Sequence, residues 1–221
     1  MLPTIHMESS RILYEDEYFL AVNKLSGELV VRGAGKVGKL PLLDFLKKEH
    51  PELKALHRLD FETSGVVMFA KSKEVERAVL DSKFKDWKKV YRTLVMGRIN
   101  RKSGVIRTPL PSRGKGNVPA TTKYSVLERF ANSSYIEAEI ETGRHHQIRR
   151  HFAGIKHPLV LDHVYGHKKF NSVFTQEFGY KRFFLHAFSL TFPHPITGNK
   201  IHIEAPMPKI FKAVVKKLGS L

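Results

Sequence analysis

Apolar and polar positions alternate over short runs along most of this chain, and turn residues separate the runs. EYFLAVNK (17–24) reads as a strand closed by Ser26-Gly27. PLLDFLKKEH (41–50) reads as a short helix with Pro41 at its first position. GVVMFAK (65–71) is an apolar run of strand length, and Val75, Ala78 and Val79 give a helical stripe over 73–87. KVYRTLVMGR (89–98) alternates and is rich in β-branched and aromatic residues, as strands are. TTKYSVLERF and SYIEAEIE form an adjacent strand pair. Thr142 can cap a helix over 143–153, ended by Gly154. FFLHAFSLTF and KIHIEAP flank the turn PHPITGN as a hairpin, and a last helix covers 208–218 before Gly219. Strands joined by short turns and interrupted irregularly by helices predict an α+β fold: a mixed, mostly antiparallel central sheet flanked by helices and loops. No repeat, linker or composition shift divides the chain, so residues 1–221 are expected to form a single domain.

Charge changes this picture more than composition does. Lys and Arg number 38 against 21 acids, a formal net charge of +17, while apolar residues make up an ordinary 42%. The basic residues are clustered. Residues 98–123 hold seven of them with no acid, and their Gly, Pro and Ser content reads as a long central loop. Residues 143–169 hold Asp162 as the single acid and six of the 12 histidines. PKIFKAVVKKLGSL adds four lysines. A polyanion is the natural partner, and nucleic acid fits better than a membrane surface because no basic amphipathic helix with an aromatic face is present. No apolar run approaches the roughly 18 residues that span a bilayer, and the start has no signal-peptide pattern. A cytoplasmic monomer is the expectation. With no cysteine, disulfides, thiolate catalysis and thiolate-ligated zinc or iron are excluded.

Nucleotide-binding glycine loops, H-E-x-x-H and G-x-S-x-G are all absent. The histidine cluster suggests a metal, but Arg149 and Arg150 stand one helical turn after His145 and His146 and repel a cation. The remaining candidate is ALHRLDFETSGVVMFAKS, where the lone carboxylate of Asp60 stands two residues after Arg58 at a loop-to-strand junction. A turn carboxylate paired with Arg58 is the plain reading. A carboxylate in a positive field, however, is kept charged and can act as nucleophile or base without metal.

HRLDFETSGVVMFAK resembles the first motif of the RluA-type pseudouridine synthases, H-R-L-D-x-x-T-S-G. KKVYRTLVMG, around Tyr91, resembles their second motif, and TGRHHQIRRHFAGIKHPLVLDHVYG their third. YEDEYFLAVNKLSGELV is similar to their opening strand and turn, and FFLHAFSLTFPHPITG to their C-terminal hairpin. The matches stand in family order over nearly the whole chain. Leu25 replaces the usual proline of the opening turn, and Leu161 the usual glycine before Asp162. RRHF and YGHKKFN are most similar to the branch that includes a tRNA pseudouridine synthase. No space precedes Leu13 for the small accessory RNA-binding domain of some members.

The resemblance implies the pseudouridine synthase catalytic fold and isomerisation of uridine in structured RNA, tRNA or rRNA, with no cofactor and no metal. It assigns catalysis to Asp60, as nucleophile at C1′ or base at C2′, with Arg149 as its partner cation and Tyr91 stacked on the target base. Arg58 would fill the stack left by the flipped base. Arg144, His146, Gln147 and Arg150, with Arg113 and Lys115 of the basic loop and Lys168 and Lys169, would hold the RNA. Two rivals remain: a non-catalytic RNA-binding assembly factor on the same scaffold, and a metal-dependent nuclease using the histidines.

Overall fold

The computed structural model describes residues 7–33, 40–112, 114 and 116–220. Arg113 and Lys115 therefore lie outside the described residues. The elements run β1 (Ile12–Glu15), β2 (Phe19–Lys24), α1 (Leu42–Leu46), β3 (Lys54–Ala55), β4 (Ser64–Ala70), α2 (Lys73–Asp81), β5 (Lys88–Met96), β6 (Ser103–Ile106), β7 (Leu110–Pro111) and β8 (Asn117–Val118). They continue with β9 (Thr122–Arg129), β10 (Ser133–Ile140), α3 (Gln147–Gly154), α4 (Lys168–Phe178), β11 (Leu185–Pro193), β12 (Lys200–Glu204) and α5 (Lys209–Gly219). The fold is α+β and mostly antiparallel. The chain divides into two compact units, Met1–Trp87 with Ser189–Pro206, and Lys88–Phe188 with Met207–Leu221.

In the first unit β2 pairs antiparallel with both β1 and β4, from Phe19 opposite Ala70 to Lys24 opposite Gly65. The short β3 pairs with the far end of β4, and β12 with β11. Every residue of β4 is buried, which explains its continuous apolar run: both faces are covered. Met68, Val75, Val79 and Phe192 share one core with Trp87, whose ring lies 4.7 Å from that of Phe192. Helix α2 starts where Ser72 accepts the N–H of Val75. It ends at Asp81, short of the expected Trp87. The apolar stripe runs out there, since Ser82, Lys83 and Asp86 occupy the next inward positions, and Lys83, Phe84 and Asp86 turn the chain at positive φ.

In the second unit β10 pairs antiparallel with β5 and β9, and β6 pairs with β9. Part of the expected basic loop is thus strand. Its Gly104 reads as a loop signal in sequence, yet it serves a close approach: a Cβ there would lie 2.6 Å from the Tyr124 hydroxyl. The helix expected from 143 begins only at Gln147. His146 stands before it in the left-handed region at φ 55°, which a helix does not accept. Helix α4 was not foreseen, although Phe170, Phe174 and Phe178 recur every four residues and Gly179 closes it at φ 74°. No described helix is long and apolar enough to cross a membrane.

Candidate active site

Asp60 opens a four-residue turn in which its carbonyl accepts the N–H of Thr63 at 3.1 Å. Leu59 is buried, while Arg58 is exposed and Asp60 half-buried, so alternation puts the last two on the outer side together. The preceding residues are sewn to β4. Leu56 donates to the Met68 carbonyl, and the Met68 N–H donates to His57 Nε2 at 3.2 Å.

The turn is held from below by a lysine. Lys24 is fully buried, and its ammonium donates to the carbonyls of Leu25, Phe61 and Thr63. Three carbonyls offset the cost of taking that charge out of water. The Gly27 N–H donates to the same Phe61 carbonyl at 2.7 Å. The turn of residues 25–28 thus braces the Asp60 turn, and it is itself braced. Glu28 takes the Leu25 N–H at 2.8 Å and pairs with Arg11, which also donates to the Asn23 carbonyl. A proline at position 25 has no N–H to give, so the departure from the family pattern is used locally. The Oγ1 of Thr63 is buried with no partner among the described residues.

In the second unit Tyr91 sits buried on β5 opposite Ala138. Its neighbour Arg92 faces the other side of the strand, paired with Glu137 and lying 3.5 Å from the Phe188 ring centre. Arg149 projects from α3 and grips Asp162 with two bonds, Nε–Oδ2 at 2.6 Å and Nη2–Oδ1 at 3.0 Å. Both are buried. Burial pushes the Asp162 carboxyl up, but Arg149 and the N–H groups of Tyr165 and Val164 outweigh it and hold it below the ordinary carboxylate value. The Arg149 guanidinium also lies near the rings of Phe183 and Tyr165.

The Asp162 turn is costly to build. Leu161 adopts φ 66°, the conformation that explains a glycine in the family pattern. Here the Asn171 side chain holds it, accepting the Leu161 N–H and donating to the Asp162 carbonyl. Gly166 closes the turn, where a Cβ would lie 2.1 Å from that carbonyl.

Around this pair the third-motif residues divide. Arg144, Lys168 and Lys169 are exposed and available to a phosphate backbone. His146 and Arg150 are half-buried and meet the Tyr165 hydroxyl at 3.1 and 2.9 Å. Gln147, expected at the RNA, is buried with its amide spent inside the protein. It accepts from Thr142 Oγ1 and the Arg144 N–H and donates to the Thr121 carbonyl and Thr122 Oγ1. Its place is to shape the loop that presents its neighbours. The histidines disperse: His151 bonds Thr122 and Thr108, His157 the Met96 carbonyl, and His163 the Lys181 carbonyl. Among the described residues no three His, Asp or Glu side chains converge as a metal site.

Sequence reasoning missed Lys24, Asp162, Tyr165 and Asn171. Asp162 carried a signal, as the single acid in 27 basic-rich positions from 143 to 169. Lys24 carried none, because a lysine at a strand end reads as solvated.

Comparison with known proteins agrees with this geometry. Residues 18–154 match the family model described as RNA pseudouridylate synthase. The ribosomal large subunit pseudouridine synthase C of Vibrio vulnificus (strain CMCP6) is 35% identical over 94% of this chain and 69% of its own length. That of Pasteurella multocida is 37% identical over 96% and 68%. These names are ribosomal, where the third-motif wording suggested the tRNA branch. The fold matches the solved human RNA pseudouridylate synthase domain containing 4, with a TM-score of 0.78 at 23% identity over 94% of this chain and 92% of that one. Human RNA pseudouridylate synthase domain containing 1 follows at 0.70, with 24% identity over 98% of both chains. The chain belongs to the RNA pseudouridylate synthase family and is an enzyme that isomerises uridine to pseudouridine in RNA.

Proposed function

We propose that the substrate is a uridine in large-subunit ribosomal RNA and that Asp60 performs the chemistry on it. The observation that carries the catalytic part is the Asp60 turn, half-buried and fastened through Phe61 and Thr63 to the buried Lys24. A carboxylate carried on a turn held this firmly needs little backbone reorganisation when it acts. The ribosomal part is supported by the names of the relatives, which match over nearly the whole chain.

In the reaction the bond from ribose C1′ to uracil N1 breaks, the uracil rotates, and a bond forms from C1′ to C5. The C5 proton leaves and N1 gains one, so atoms balance without a cofactor. Asp60 acts at the ribose. Tyr91 stacks on the base and helps move the C5 proton. Arg149, its plane fixed by Asp162, serves the charge of Asp60. Arg58, Arg144, His146, Arg150, Lys168 and Lys169 meet the RNA, with Gln147 shaping their loop. The two units work as one catalytic domain, a reading supported by the family match, which runs through both from residue 18 to residue 154. The protein acts as a monomer in the cytoplasm.

The test is tritium release from RNA labelled at uridine C5, with ribosomal RNA and tRNA pools given separately. Release from the ribosomal pool, absent in Asp60→Asn while RNA affinity persists, is the expected result. Near wild-type turnover by that variant overturns the catalytic assignment, and release from tRNA alone overturns the ribosomal one.

A further inference from the structure

Two successive arginines of α3 are held in opposite ways. Arg149 is gripped by the Asp162 carboxylate, which balances its charge. Arg150 donates its Nε–H to the Tyr165 hydroxyl at 2.9 Å, and no carboxylate pairs with it among the described residues. Asp162, the single acid between residues 143 and 169, is buried against Arg149. A neutral oxygen therefore fixes the plane of the Arg150 guanidinium and leaves its charge uncompensated. Arg150 is half-buried, yet its two Nη groups have no hydrogen-bond partner among the described residues and are not sealed from solvent. Together they form a planar fork of donors, the geometry that takes two oxygens of a phosphate.

Tyr165 is placed to hold that fork. Its own N–H fills Asp162 Oδ1 at 3.0 Å, so its backbone is fastened to the buried pair. Its ring centre lies 5.2 Å from the Arg149 guanidinium and 5.6 Å from that of Arg150. Its hydroxyl also meets His146 Nδ1 at 3.1 Å. A phenol oxygen can accept from Arg150 and give its hydrogen to an imidazole nitrogen at the same time. The second bond reaches a residue at φ 55°, a backbone that a residue with a side chain adopts at a cost. His145 stacks on His146, their ring centres 3.7 Å apart. One hydroxyl thus ties the buried Arg149–Asp162 pair to the charged and aromatic groups at the start of α3.

We propose that Tyr165 is a positioning residue for RNA binding: its hydroxyl aims the Nη fork of Arg150 at one phosphate of the substrate RNA. The occupant follows from the charge. Arg144, Lys168 and Lys169 are exposed on the same acid-poor stretch, so a phosphate backbone is the anion that collects there. Without the hydroxyl the guanidinium keeps its charge and loses its direction, and each contact with a phosphate then costs more side-chain freedom. The proposal rests on the reading of Arg150 as an RNA contact and adds how that contact is made.

Tyr165→Phe keeps the ring beside Arg149 and the N–H to Asp162 and removes only the hydroxyl. Measured on whichever RNA pool releases tritium, KM should rise roughly fivefold with kcat little changed, the scale of one hydrogen bond lost from binding. Arg150→Ala should make the slope of log affinity against log salt shallower by about one, as for one lost phosphate contact. Part of that change should appear in Tyr165→Phe, and the double variant should be no worse than Arg150→Ala. A purely structural role for the hydroxyl would lower the melting temperature and leave the salt slope and KM in place. If Arg150→Ala moves the slope while Tyr165→Phe moves neither slope nor KM, the positioning role is overturned and Arg150 binds RNA unaided. If the two losses add in the double variant, the hydroxyl acts independently of Arg150, and the positioning role is equally overturned. If Arg150→Ala leaves slope and KM at the wild-type values, the reading of Arg150 as an RNA contact falls, and this proposal with it.

Discussion

Arg149 and Asp162 form a buried, two-pronged ion pair, 2.6 Å from Nε to Oδ2 and 3.0 Å from Nη2 to Oδ1. The carboxylate is filled on its other positions by the N–H groups of Val164 and Tyr165. The guanidinium of a proposed catalytic residue is thereby fixed in plane by an acid outside the proposed trio of Asp60, Tyr91 and Arg149.

Asp162→Asn should cost about 3–5 kcal/mol of stability, the range found when one partner of a buried pair is removed. Activity should fall further than the unfolded fraction explains, because Arg149 loses its orientation. Urea unfolding beside single-turnover rates on folded protein separates the two losses. An Asn variant with wild-type turnover would show that the pair is structural only. The pH sign follows from the lowered carboxyl. The stabilisation is fully present above the unfolded value of about 3.9 and is lost as pH falls through the lower folded value. Asp162 therefore gives no pH dependence near neutrality.

His151 does give one. It is buried, accepts from Thr122 Oγ1 at Nδ1 and donates to the Thr108 carbonyl from Nε2. Burial lowers its folded pKa, and the Thr108 bond only partly opposes this. As pH falls below about 6.5 the unfolded chain takes the proton first, so stability declines until the lower folded value is reached. Urea midpoints measured from neutral pH downward should show this slope in the wild type and lose it in His151→Gln. A slope unchanged by the substitution assigns the acid sensitivity to another group.

Lys24→Met keeps the length of the side chain and removes the ammonium that three carbonyls share. The expected loss of stability is about 1–3 kcal/mol, the cost of buried acceptors losing their donor. The Asp60 turn should loosen, so kcat should fall at least tenfold with KM little changed. A rise in KM at constant kcat would contradict the bracing role.

Much of this arrangement was legible in the sequence, for identifiable reasons. The α+β class, the strand containing Tyr91 and the hairpin of β11 and β12 follow from alternation, which is a local signal. The position of Asp60 at a loop-to-strand junction also follows, because Gly65 and the apolar run after it mark where β4 begins. The start of α3 did not follow. His146 takes a left-handed backbone that its residue type does not announce, and Gln147 is set by bonds to Thr121 and Thr122, more than twenty positions away. Leu161 is the same case. The sequence shows a leucine where the family has glycine, and only the contact with Asn171 explains how φ 66° is held. Long-range partners of buried polar groups are the part that periodicity cannot carry.

Arg58 is exposed beside the half-buried Asp60, on the outer side of a segment whose Leu59 is buried. A side chain so placed adds little to the stability of the fold, so Arg58→Ala should leave the melting temperature within about a degree. Its proposed task is to occupy the stack from which the uridine is flipped, a step that costs a few kcal/mol in paired RNA and much less in an unpaired strand. The substitution should therefore slow turnover of a folded stem-loop by roughly thirtyfold, the equivalent of about 2 kcal/mol, and that of an unstructured oligonucleotide by only a few-fold. Tritium release from the two substrates under single-turnover conditions reads the difference directly. Equal losses on both would assign Arg58 to backbone contact, and such a contact should weaken in parallel with rising salt.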